Sequence, residues 1–192
     1  MHIVRRGSIL AIFLFGLAGC TVQLAPDYDA GLIEGINKAN ADTLVLFVSL
    51  QKGVTPQSFP DFETRYDAAI GSFSALRTQA EARFVPPLSQ AFVRRIKATA
   101  IGANSSFGEI CQEDTDCINP TPKMLDSIIG TLTEVEAVHK RKGFPAASAV
   151  IAGTCGVGET AQAASIGVMQ YECSYLHDVE EALFVETSLK RE

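Results

Sequence analysis

Apolar side chains recur at alternating intervals of four and three along residues 32–50: Leu32, Ile36, Ala39, Thr43, Leu46 and Leu50. Glu34, Lys38 and Asp42 fall off that stripe. The spacing puts one apolar face on a helix and its polar residues on the other. Gly53 is the expected stop. Ser58-Phe59-Pro60-Asp61 reads as a capping box with proline in the first turn of a second helix. That helix repeats the seam with Phe62, Tyr66, Ala69, Phe73, Leu76 and Ala80, and Pro86-Pro87 ends or kinks it. Leu88, Phe92, Ile96 and Thr99 share one face of a shorter helix. Residues 103–121 carry the Asn, Ser, Gly, Asp and Pro of a loop.

Thr121-Pro122 predicts a fresh start, with Thr121 as cap and Pro122 in the first turn. Leu125, Ile128, Leu132 and Val135 form its seam. Lys140-Arg141-Lys142-Gly143 ends it, with cations on the negative end of the helix dipole and a glycine beyond. Pro145 to Gly158 is small and apolar, a short helix and a turn. A last helix is expected over residues 160–190, with Val168, Tyr171, Tyr175, Val179 and Leu183 facing inward. A strand pattern competes only at Thr43–Leu50, and there it extends an established helical period. The expectation is an all-α fold: an up-and-down bundle of four long helices and one shorter one.

The first 19 residues follow a different pattern. Arg5 and Arg6 precede a short apolar run, Ile9 to Leu17, and the small residues Ala18 and Gly19 stand before Cys20. The run is shorter than the roughly 20 apolar residues a membrane span needs, so it reads as a cleavable export signal. Leu17-Ala18-Gly19-Cys20 resembles the lipobox of bacterial lipoproteins. That resemblance covers about the first 20 residues and no more. It implies cleavage before Cys20 and a diacylglyceryl group on its sulfur, with an added N-acyl chain in many species. Two or more chains hold a protein stably on a membrane. By the same resemblance, Thr21 in the position after the cysteine implies sorting to the outer membrane, facing the periplasm, rather than to the inner one. The expected organisation is a signal peptide over 1–19, a tether over 20–26 and one helical domain over 27–192.

Removing residues 1–19 from the 192 leaves 173, and since the leader holds two Arg and no acid, the remainder has 14 basic and 22 acidic side chains, a net −8. That balance argues against a nucleic-acid partner, which requires a basic excess. Beyond Cys20, four cysteines remain: Cys111, Cys117, Cys155 and Cys173. An even number in an oxidising compartment reads as two disulfides, with three connectivities open. The C-x₅-C spacing of Cys111 and Cys117, with no histidine nearby, matches zinc sites poorly.

Candidate chemistry is sparse. Gly153-Thr154-Cys155-Gly156-Val157-Gly158-Glu159-Thr160 follows the P-loop pattern at every position but one. The departure places Glu159 where a lysine must hold the phosphates, which excludes a nucleotide partner. Glu136 and His139 form one E-x-x-H on a helix, the unit that di-iron bundles use in pairs. Here it occurs once, so His139 reads as a packing or capping residue whose imidazolium the helix end would favour. Arg94, Arg95 and Lys97, with Arg83 upstream, form a basic patch suited to lipid headgroups or an acidic partner. Phe62, Tyr66, Phe73 and Phe92 read as core. Glu180-Glu181 are adjacent and point apart on a helix. No nucleophile–base pair and no cofactor motif is visible.

The sequence therefore predicts a non-catalytic, lipid-anchored module of the bacterial envelope that binds or helps assemble another envelope protein. The alternative is a bundle that binds a small ligand or a metal, through the aromatic seam or through Glu136 and His139.

Overall fold

The computed structural model describes residues 25–87, 89–91, 94, 116–147 and 167–190. The expectations for Cys20, Cys111, Cys155, Arg95, Lys97, Phe92 and residues 153–160 lie outside the described residues. Within them the architecture is all-α. Helix α1 spans Ala30–Leu50, a 3₁₀ segment spans Pro56–Asp61, α2 spans Glu63–Glu81, α3 spans Thr121–Lys142 and α4 spans Val168–Ser188. Each long helix packs on two neighbours, α1 on α2 and α4, and α3 on α2 and α4. Asp29 meets Gln79, Arg77 meets Asp126, and Ser127 meets Asp178. These pairings make successive helices antiparallel, as an up-and-down bundle requires.

The core follows the sequence seams closely. All six stripe positions of α1 are buried, as are Tyr66, Ala69, Phe73, Leu76 and Ala80 of α2 and all four seam residues of α3. Each fully buried leucine, isoleucine or aromatic contributes about 1.5–3 kcal/mol by leaving water. Asp29 caps α1, its Oδ1 accepting from the Leu32 N–H at 3.1 Å. Gln79 donates to the same carboxylate at 2.7 Å, and that bond holds the Asp29 pKa below the ordinary carboxylate value.

The departures have local causes. The turn before α2 is organised one step earlier than expected. Ser58 Oγ accepts from the Thr55 N–H at 3.2 Å and donates to the Thr55 carbonyl at 2.8 Å, closing the 3₁₀ segment, while α2 itself begins at Glu63. Thr121 is not a cap: Pro120 holds that position and Thr121 is the first helical residue, its hydroxyl donating to Glu186. In α4 the buried positions after Val179 are Ala182 and Glu186, whereas Leu183 is only partly buried. A helix seam advances by three or four residues, and here it runs through a glutamate.

Past α1, Gly53 takes φ +89 and Val54 forms an isolated antiparallel bridge to Phe144, with both N–H···O distances 2.9 Å. Gly143 ends α3 with φ +70. A side chain there would place its Cβ 2.2 Å from the Val54 carbonyl oxygen, so this crossing requires glycine.

Candidate functional site

Two clusters of buried polar groups sit at opposite ends of the bundle. The first surrounds His139, in the last turn of α3. The helix presents it on the seam four residues after Val135, so the ring enters the core and is fully buried. Phe59, Phe62, Tyr66 and Phe144 ring it, with centroids 5.2–6.4 Å away. Nδ1 lies 3.3 Å from the Tyr66 hydroxyl, while Nε2 lies 3.1 Å from the Thr55 carbonyl and 3.3 Å from Ser58 Oγ.

A serine and a tyrosine on the two nitrogens of one histidine invite a catalytic reading, which the hydrogen-bond polarity opposes. A carbonyl oxygen only accepts, so Nε2 carries the proton and donates to Thr55. Nδ1 then accepts from Tyr66. A general base needs the nitrogen facing serine to be the bare one. Here it is the protonated one, and the Ser58 hydroxyl is itself committed to Thr55. The cluster clasps the 3₁₀ segment to α2 and α3.

Burial also settles the charge of the ring. It pushes the His139 pKa below the ordinary histidine value, against a smaller opposing effect of the Thr55 bond. The imidazolium expected from the helix end is replaced by a neutral ring, because desolvation outweighs the dipole. Burial likewise raises the Tyr66 pKa, with Glu136 adding to the effect.

The E-x-x-H unit is divided in its partners. Glu136 Oε1 pairs with Lys140 at 2.7 Å, a bond that raises the Lys140 pKa, while both His139 nitrogens are engaged elsewhere. Among the described residues no group of three or more His, Cys, Asp or Glu is placed to hold a metal ion.

The second cluster joins the end of α2, the start of α3 and the end of α4. Arg83 grips Glu186 with both terminal nitrogens at 2.7 Å, and Arg83 also donates to Asn119. Asn119 donates in turn to the Ala80 carbonyl at 2.9 Å. Glu186 has no exposed side-chain surface, and Arg83 has 9%. Sequence reasoning missed this cluster: Arg83 and Glu186 lie 103 positions apart, and Arg83, which the sequence groups with the basic patch, is instead nearly buried in the ion pair.

The aromatic seam packs rather than lining a site. Tyr175 meets Phe47 at 5.3 Å and Phe73 at 6.0 Å, and its hydroxyl donates to Asn40 at 3.0 Å. Shallow surface depressions occur elsewhere. One is lined by Pro26, Asp27, Tyr28, Leu189 and Lys190, and another by α1 and α2 residues from Gly35 to Leu76. Arg94 is helical and exposed. Cys117 and Cys173 are both disulfide-bonded. Among the described residues no helix is long and apolar enough to cross a membrane. Compared with protein-family models, curated proteins and solved structures, the chain matches none of them.

Proposed function

We propose that this chain is a lipid-anchored protein of the bacterial cell envelope. Its helical bundle acts as a non-catalytic module that binds another envelope protein or supports its assembly. The observation that carries the reading is Leu17-Ala18-Gly19-Cys20 behind Arg5-Arg6 and a short apolar run. Acyl chains on Cys20 would hold the domain at the outer membrane, facing the periplasm. The four further cysteines suit an oxidising compartment, and we assign them to two disulfides. The polar clusters support a non-catalytic role: both are turned inward, and apart from the buried Arg83 Nε–H their side-chain donors and acceptors tie helices and turns together. The Glu136–His139 version of the metal-binding alternative is disfavoured by the hydrogen bonds at both His139 ring nitrogens.

Mass spectrometry of the mature N-terminus, paired with crosslinking in intact cells, tests the proposal. The expected result is an acylated Cys20 at position one and a specific crosslinked envelope protein. A Cys20→Ala chain should leave the membrane fraction after a high-salt wash. An unmodified Cys20, or a variant that stays with the membrane, overturns the anchor. A crosslinked preparation with no specific partner overturns the assembly role.

A further inference from the structure

Five large apolar side chains are notably exposed among the described residues: Tyr28, Val45, Val48, Phe84 and Phe184. The three aromatic ones share one end of the bundle. Tyr28 precedes the α1 cap Asp29, which is bonded to Gln79 near the end of α2. Phe84 follows Arg83, whose guanidinium holds Glu186, and Phe184 lies two residues before Glu186 in α4. Tyr28 also lines a depression with Leu189 and Lys190, where the first and last described segments meet. Phe184 and Phe84 are 74% and 66% exposed, unusual values for phenylalanine.

We propose that this aromatic end rests on the lipid surface beside the anchor, so that the helices stand on the membrane rather than lie along it. The inference rests on the proposed acylation of Cys20. Ala25 lies five positions after Cys20, a reach of at most about 18 Å, so the described chain begins near the bilayer, and Ala25 to Asp29 lead directly into α1 at Ala30. The far end of α1 is about 30 Å further along its axis. A net charge of −8 without the leader gives no attraction to anionic headgroups. The contact therefore depends on apolar rings, and phenylalanine and tyrosine are suited to the headgroup boundary. Val45 and Val48, in the distal half of α1, would touch lipid only if the bundle lay on its side.

The chain contains no tryptophan, so an introduced indole reports without background. Tyr28→Trp, Phe84→Trp, Phe184→Trp, Val45→Trp and Val48→Trp are made singly in the full chain and purified from membranes. They are placed in phosphatidylcholine vesicles with brominated acyl chains, and acylation of Cys20 is read by mass spectrometry on the same samples. All five positions are exposed, and circular dichroism confirms each fold. Rings seated roughly 5–10 Å into the interface should be quenched at least about threefold more than indoles at positions 45 and 48. Acylated protein with equal quenching at all sites, none at any, or more at 45 and 48 overturns the upright orientation and leaves the anchor standing. Protein with Cys20 unmodified overturns both.

Discussion

Arg83 and Glu186, 103 residues apart in sequence, form a two-pronged ion pair with both bonds at 2.7 Å, sealed between the ends of three helices. Its stabilising value depends on completeness. Two buried charges roughly offset their loss of water when paired, whereas either one alone does not.

Glu186→Ala should therefore lower the unfolding free energy by about 3–5 kcal/mol, because it strands the Arg83 charge and the Thr121 hydroxyl, while Asn119 keeps its bonds to Arg83 and Ala80. The double variant Arg83→Met with Glu186→Leu should be markedly less destabilised than the single one. Urea denaturation of both decides the matter: a double variant at least as unstable as Glu186→Ala would contradict the account.

His139 makes stability depend on pH in a defined direction. Its folded pKa is lowered by burial, so the unfolded chain takes up a proton first as pH falls. The stability from the neutral ring is fully present above about pH 6.5, the unfolded value. It is lost as pH falls from there towards the depressed folded value, with a limiting slope of about 1.4 kcal/mol per pH unit. Melting temperatures measured from pH 7.5 to 5 should decline in the native chain. In His139→Phe that share of the slope should vanish, whatever the variant's absolute stability.

Glycines divide by position. Gly143→Ala meets the Val54 carbonyl at 2.2 Å and a φ of +70, so it should cost at least about 2 kcal/mol and break the Val54–Phe144 bridge. Gly71 and Gly130 lie inside α2 and α3 with nothing within 4 Å of an added Cβ. Gly71→Ala and Gly130→Ala should each stabilise the protein by about 0.5–1 kcal/mol. Chemical denaturation of the three variants gives the ranking.

Disulfide mapping has a constrained outcome. Cys117 lies four residues before Thr121, whose hydroxyl reaches Glu186, whereas Cys173 lies 13 residues before Glu186 on α4, about 20 Å along the helix. Disulfides need Cα atoms within about 7 Å. Non-reducing peptide mapping should thus find each of these cysteines linked to Cys111 or Cys155. A Cys117–Cys173 peptide would refute the placement.

The helices and their inward faces were legible in the chain because helical periodicity is local. Leu32 to Leu50, Tyr66 to Ala80 and Leu125 to Val135 declare their buried faces within single segments, and Gly143 declares a stop. The polar clusters were not legible. Glu186 occupies a seam position where a hydrophobicity reading prefers Leu183, and only Arg83, contributed by another helix, makes its burial tolerable. Thr121 looks like a cap until Glu186 claims its hydroxyl.

The same holds for His139. Its position on the seam and near a helix end is written in the sequence, and both facts together do not fix its charge. The ring is neutral because Phe59, Phe62, Tyr66 and Phe144 exclude water from it, and its proton sits on Nε2 because the Thr55 carbonyl lies there. Periodicity along one helix determined which side faces inward. Only the packing of helices against one another decided which charges are buried, which are paired and which nitrogen holds a proton, because those energies depend on distances between residues far apart in the chain.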